Sequence, residues 1–317
     1  MYNTDKSLLE ERAAESGFLR DNLEKVYRLT DVLRFINEDP LLSGLLVLKG
    51  GTAINLTIFR LPRLSVDIDL DFHRDCSKEE MLAAREEINA ILLRYMNACG
   101  YMLNTDRTRN PHALDSWVFY YQNAGGNRDN IKLELNYSMR SHILPVQERR
   151  ITAPFIVDGP LIRTLAPVEL FGSKIKALLE RTAPRDLYDI YNMIRSDLFD
   201  ENMLSLLRKC TLFYRAVGST GSFHEEIDLD SIDQLTFAKI KQTLLPVLRK
   251  NEKIDLDAMK SDVRDYLAKL LVFTENEKAF LHAFSQGVYA PELLFDNDEI
   301  INRVKDHPMA LWKTKQP

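Results

Sequence analysis

Residues 49–71, KGGTAINLTIFRLPRLSVDIDLD, constrain the fold more than any other stretch of the chain. An apolar run, Leu45, Leu46, Val47 and Leu48, reads as a strand and runs into the pair Gly50-Gly51. A short amphipathic stretch over 52–59 and a loop with Pro62 lead to a second strand over 65–70. On it Asp67 and Asp69 stand two residues apart, and in a β-strand residues i and i+2 share a face, so their carboxylates project together. Like charges side by side call for a cation between them. Mg²⁺ is the usual one, because it prefers hard oxygen ligands and binds through one or two carboxylates together with substrate phosphates.

The diglycine supplies the complementary half of such a site. Glycines at a strand-to-helix turn let the backbone approach a phosphate closely and leave N–H groups at a helix start. Thr52 adds a hydroxyl at the same corner. A glycine pair or a lone Asp-x-Asp is weak evidence by itself. The full order of strand, Gly-Gly-Thr, helix and Asp-x-Asp strand resembles the polymerase-β-like nucleotidyltransferase superfamily, where Gly-Ser or Gly-Gly-Thr precedes a metal-binding Asp pair. The plain alternative is two structural turns and a solvated acidic strand end.

With 317 residues the chain is long enough for two domains. The expected division is an α/β nucleotidyltransferase domain with N-terminal helices over 1–165 and a helical domain over 166–317. A hydrophobic fraction of 45% and a charged fraction of 28% are ordinary for a globular protein. No apolar run approaches the ~20 residues of a membrane span, and the N-terminal stretch lacks the apolar centre of a signal peptide. Cys76, Cys99 and Cys210 are scattered and odd in number, which argues against a disulfide framework or a Cys-rich metal site. The expectation is a cytoplasmic protein with no membrane partner. A formal charge of −5 is not the basic surplus that nucleic-acid binders often carry, so any polyanion contact has to come from a local patch.

Residues 5–16 and 19–37 read as helices; in the second, Leu23, Val26, Tyr27, Leu33 and Ile36 recur at helical spacing and Pro40 stops the pattern. Ser77 with Glu80 forms a capping box that opens a helix to about residue 97, closed by Gly100. Strands are expected over 101–106, 117–122 and 131–138, the last two joined by a turn over 123–127. In the third, Lys132, Glu134 and Asn136 alternate with Ile131, Leu133, Leu135 and Tyr137. Glu134 is the candidate for a third carboxylate, though a solvent-facing strand carries ordinary charges in the same pattern. Residues 139–166, punctuated by prolines, read as irregular or weakly β. Arg140, His142, Arg149 and Arg150 form a small basic cluster, read as surface charge ahead of a nucleic-acid contact.

Residues 167–192, PVELFGSKIKALLERTAPRDLYDIYN, read as two helices parted at Thr182-Ala183-Pro184. Lys174, Leu178 and Arg181 share a stripe on the first; Asp186 and Asp189 share a face on the second. A salt-bridged helical hairpin is the ordinary meaning of such charges. A lysine is also a point-charge partner for phosphate, and the aspartates are candidates to position it or a nucleophile.

Leu-Lys-Gly-Gly-Thr-Ala, Arg-Leu-Ser-x-Asp-x-Asp-Leu-Asp, and Glu-Leu-x-x-x-Lys-x-x-Ala-Leu-x-x-Arg before Arg-Asp-Leu-Tyr-Asp together resemble the AbiEii/AbiGii nucleotidyltransferase toxin family. The motifs cover residues 45–195. The resemblance implies the toxin half of a bacterial toxin–antitoxin or abortive-infection phage-defence pair. It implies that Gly50, Gly51 and Thr52 hold the phosphates of a nucleoside triphosphate and that Asp67 and Asp69 bind Mg²⁺ (or Mn²⁺), with Glu134 as a further ligand. Ser65 becomes a neighbour of the phosphates, Lys174 a triphosphate contact, and Asp186 the late catalytic aspartate, a base or an orienting group. It also implies an RNA acceptor, the 3′ end of tRNA, and a cognate antitoxin.

The rest of the chain reads as helical, over 200–217, 231–250, 256–272, 275–286 and 296–306, with a loop over 218–223 and a loose tail over 312–317. The expected active site lies in a cleft between the two domains. Three rival readings stay open: transfer of a nucleotide to a protein or small molecule, transfer of the γ-phosphate to a hydroxyl such as that of Ser65, and a nucleotide-binding protein that acts without catalysis. No motif identifies the base, the acceptor or the oligomeric state.

Overall fold

The computed structural model describes residues 2–111, 113–156, 158–218 and 227–315. Contacts divide the chain into two units: Met1–Arg140, Val146–Thr164 and Val247–Asn251 form one, and Ser141–Pro145, Leu165–Pro246 and Glu252–Pro317 the other.

The first unit is α/β. Helices α1 (Lys6–Ser16), α2 (Arg20–Glu38) and α3 (Pro40–Leu45) precede β1 (Leu46–Lys49). The turn α4 (Gly50–Ala53) continues as a wider helical turn over Ile54–Ile58 and leads to β2 (Asp67–Phe72). Then follow α5 (Lys78–Ala98), β3 (Met102–Leu103), β4 (Leu114–Gln122), β5 (Arg128–Asn136), β6 (Gln147–Arg150) and β7 (Leu161–Thr164). The sheet order is β3-β4-β5-β2-β1-β7-β6. Strand β2 is antiparallel to β1 and parallel to β5, so the Asp-x-Asp strand sits at the middle of a mixed sheet.

Alternation gives that sheet two unlike faces. Ile68, Leu70 and Phe72 of β2 align with Leu133 and Leu135 of β5 and with Leu46 and Leu48 of β1, and all are buried. Helix α2 lies against β5 and β7. Helix α5 is joined to β4 by a buried ion pair, in which Arg85 reaches both oxygens of Asp115 at 2.5 and 3.0 Å and Asn89 adds a third donor at 3.0 Å. The other face carries Asp67, Asp69 and Asp71 on β2, with Lys132, Glu134 and Asn136 opposite them on β5.

The second unit is helical among the described residues: α6 (Pro167–Arg181), α7 (Pro184–Arg195), α8 (Glu201–Gly218), α9 (Phe237–Thr243), α10 (Leu256–Leu270), α11 (Glu275–Ser285), α12 (Asp298–Val304) and α13 (Pro308–Thr314). Gly172 lets α6 approach α8 closely, since a Cβ there would lie 2.6 Å from the Cys210 Cβ.

Several expected boundaries change. Pro40 does end α2, but with Asp39 as a capping acceptor it also opens α3, the position where a missing N–H costs nothing. The proline-rich stretch 139–166 contains β6 and β7, short strands that close one side of the sheet. The expected strand 101–106 shrinks to two residues. The single helix expected over 231–250 breaks into α9 flanked by short 3₁₀ turns, the second containing Pro246. Of the tail expected to be loose over 312–317, residues 312–314 belong to α13, opened by a His307 cap and Pro308, and 316–317 lie outside the described residues. Of the loop expected over 218–223, Gly218 ends α8, and the rest lies outside the described residues.

Arg85→Met would leave Asp115 buried beside an apolar side chain. It should lower stability to urea by about 3–5 kcal/mol, and adding Asp115→Leu should restore most of the loss.

Candidate active site

The acidic face of β2 is shaped by the turn beside it. Lys49, the last residue of β1, is in register with Asp69. Gly50 follows with φ +70°, and a Cβ on it would fall 2.6 Å from Asp69 Oδ2. Glycine is therefore required twice over, for the left-handed backbone and for the space that the carboxylate fills. Gly51 is confined similarly: a Cβ would lie 2.6 Å from Arg63 Nη2 and 3.3 Å from Ser65 Oγ. Arg63 is buried and donates to the Leu64 carbonyl at 3.0 Å.

Thr52 and Ser65 are also buried, with their hydroxyl oxygens 2.8 Å apart. Thr52 Oγ1 is hydrogen-bonded to the backbone carbonyl of Asp67. A carbonyl only accepts, so Thr52 gives its proton to Asp67 and takes that of Ser65. The two hydroxyls thus tie the Gly-Gly-Thr turn to the start of β2 at the residue that carries the first carboxylate.

Glu134 is in register with Asp69 on the neighbouring parallel strand, as the alternation of β5 requires, and its carboxylate lies 2.9 Å from Lys132 Nζ. Asp71, the third acidic residue on the face, is buried and paired with Lys49 Nζ at 2.5 Å. Among the described residues no three histidine, cysteine or carboxylate side chains gather at metal-ligand spacing. A cation held by two carboxylates and completed by phosphate and water does not need a third. An all-oxygen pair beside a glycine turn is a donor set suited to such a hard cation.

The second charged centre lies on the α6–α7 hairpin. Lys174 Nζ is 3.0 Å from Asp186 Oδ1 and 3.2 Å from Asp189 Oδ2. Arg181 donates from Nε to Asp186 Oδ2 at 2.6 Å and from Nη2 to Oδ1 at 2.9 Å. The salt-bridged hairpin is real, and it brings Lys174 and Asp186 together. Burial alone would raise the Asp186 carboxyl, but Lys174 and Arg181 outweigh it and hold the group at about 2.

The arginines of the basic cluster are tied to the backbone. Arg140, Arg149 and Arg150 donate to the carbonyls of Cys76, Thr57 and Gly159, and His142 is buried. Sequence reasoning also passed over Glu169, in the first turn of α6. It accepts from the Ile143 and Leu144 N–H groups at 2.8 and 3.0 Å and from the Tyr214 hydroxyl at 2.7 Å. Burial pushes its carboxyl up, against the pull of His142 and these donors. Asp71 was open to discovery, as the third member of the Asp-x-Asp-x-Asp alternation; its lysine partner, on another strand, was not.

Because the folded-state value of Asp186 lies below the ordinary 3.8, its contribution to stability is complete above about pH 4 and is lost as pH falls through about 2. Urea unfolding of the native protein and of Asp186→Asn should therefore converge by about 2 kcal/mol between those pH values. A constant difference would contradict the assigned pairing.

The model of the nucleotidyl transferase AbiEii toxin family, described as a type IV toxin–antitoxin system, matches residues 33–286. Seven solved chains match in structure. One is MenT4, a nucleotidyltransferase toxin from Mycobacterium tuberculosis H37Rv, with a TM-score of 0.63 over 98% of this chain and 99% of that one. At 15% identity that likeness shows a shared fold. No curated protein sequence matches significantly. Among the described residues no helix is long and apolar enough to cross a membrane. The family match spans both motif blocks, the glycine turn with its acidic strand and the Lys–Asp hairpin: the chain belongs to the AbiEii family of nucleotidyltransferase toxins of type IV toxin–antitoxin systems.

Proposed function

We propose that this toxin is a Mg²⁺-dependent (or Mn²⁺-dependent) enzyme that moves a nucleoside monophosphate from a nucleoside triphosphate to the 3′ end of an RNA, with tRNA as the acceptor. The modified tRNA no longer supports translation, growth stops in an abortive-infection response to phage, and a cognate antitoxin relieves the block. The reaction takes place in the cytoplasm. The observation that carries this reading is the pair Asp67 and Asp69 on one face of β2, beside a Gly-Gly turn, in a chain of this family.

Asp67 and Asp69 are the residues that would hold the divalent cation, with Glu134 in register beside them as a further ligand. When bound, the cation neutralises phosphate charge as pyrophosphate departs. Gly50 and Gly51 leave the backbone open to phosphates, while Thr52 and Ser65 hold the Asp67 end of the turn in place. Lys174 contacts the triphosphate. A carboxyl held at about 2 is a poor proton acceptor near neutrality, so orientation of a cation or hydroxyl suits Asp186 better than general base catalysis.

One observation favours a second acceptor. The net charge is −5, not the basic surplus of many nucleic-acid binders, which makes a polypeptide hydroxyl the next candidate. A single experiment separates the two. Purified protein is incubated with Mg²⁺, total cellular RNA and each of the four nucleoside triphosphates labelled at the α-phosphate, with Asp67→Ala alongside. The expected result is label in a tRNA-sized band with one nucleotide, reduced at least about a hundredfold by the substitution. Label on a polypeptide would move the acceptor, and label that survives Asp67→Ala would remove the metal site.

A further inference from the structure

The charges of the α6–α7 hairpin are shared unequally. Asp186 is bonded by both Lys174 and Arg181, and Lys174 also pairs with Asp189. The two cations also occupy different surroundings. The Lys174 side chain is 7% exposed, whereas that of Arg181 is 64% exposed although it bonds a carboxylate that is only 1% exposed. The connection explains this. Helix α6 ends at Arg181, Thr182 turns the chain with φ +47°, and Pro184 opens α7 two residues before Asp186. The last basic residue of one helix therefore meets the first-turn carboxylate of the next.

An exposed arginine paired at the surface would contribute little. Here its acceptor is buried, and the guanidinium engages both oxygens. Such a fork fixes a carboxylate in orientation as well as in charge, whereas the lysine ammonium is a point charge on a flexible stem. Taking one partner from a buried pair is costly because the other charge is stranded. Asp186 is protected from that cost: if Lys174 turns away, Arg181 remains.

The geometry points to Arg181 as a positioning residue for nucleotide binding: it holds the Asp186 carboxylate so that Lys174 can exchange that carboxylate for an anionic ligand. The inference rests on the reading that Lys174 contacts the triphosphate. Without Arg181, the lysine becomes the remaining partner of Asp186 in this pairing and is retained there. Loss of Arg181 should then weaken nucleotide binding although Arg181 makes no contact with the nucleotide. Neutralising Asp186 as well should release the lysine.

The test is calorimetric titration of the full chain with each of the four nucleoside triphosphates in turn, with Mg²⁺ and without RNA, each variant being checked by thermal melting. Arg181→Ala should weaken the tightest of the four by about tenfold, the ratio that one pKa unit of differential interaction represents. Arg181→Lys should fall between the two, and Arg181→Ala with Asp186→Asn should regain most of the affinity. Lys174→Met with Asp189→Asn removes one charge of each sign and leaves the Asp186–Arg181 pair intact, so it reports the lysine contact without stranding a carboxylate. If that double variant binds as the native protein does, the lysine contact fails and this inference with it. If it binds weakly while Arg181→Ala binds normally, the lysine contact stands and the role of Arg181 is overturned. If Arg181→Ala is weak and Asp186→Asn restores nothing, the arginine acts directly or through stability, and the role is again overturned.

Discussion

Carboxylates on adjacent same-face positions of a strand lie only about 6.6 Å apart along it, and their repulsion has to be met by some positive charge. The acidic face of β2 carries three such groups in a row, with a fourth across the parallel strand. The protein meets part of this charge itself. Lys49 pairs with Asp71 diagonally across the β1–β2 ladder, and Lys132 pairs with Glu134 two residues along the same strand. Asp67 and Asp69 lie at the start of β2, where the glycine turn comes against Asp69. A cation bound at Asp67 and Asp69 would add to the compensation that these lysines already supply.

The turn and the acidic strand depend on one another physically. Gly50 makes room for the Asp69 carboxylate, and Thr52 with Ser65 secures the Asp67 backbone. These contacts explain why the Gly-Gly-Thr block and the Asp-x-Asp block occur together, since each fixes the geometry of the other. The α6–α7 hairpin solves the same problem of paired carboxylates differently. Asp186 and Asp189 are buried and receive their cations from neighbouring positions on α6, which suits them to hold and present a positive group.

Much of this was legible from alternation and spacing. The period of two put Asp67 and Asp69 on one face and Glu134 on the polar face of its strand, and helical spacing with a break at Pro184 suggested a salt-bridged hairpin; that Glu134 lies beside Asp69 is decided by register. The features that escaped involve contacts between distant segments. Lys49 lies opposite Asp69 in the β1–β2 register yet reaches diagonally to Asp71, and nothing local to residue 49 or 71 says so. Glu169 reads as an ordinary first-turn acid, yet it is buried because the segment 141–145 lays two N–H groups on it. The arginines at 140, 149 and 150 read as surface charge, and each also donates a hydrogen bond to a backbone carbonyl that local pattern does not announce. Pro40 ends one helical pattern as expected and also begins α3, which local rules allow but do not demand.

If the glycine turn builds a divalent-cation site on β2, Mn²⁺ titration followed by electron paramagnetic resonance should detect it. Both Asp69→Asn, which removes a carboxylate, and Gly50→Ala, which keeps both carboxylates but crowds one, should weaken Mn²⁺ binding by about tenfold or more. Native affinity in Asp69→Asn would contradict the site itself. Native affinity in Gly50→Ala would contradict the role assigned to the turn.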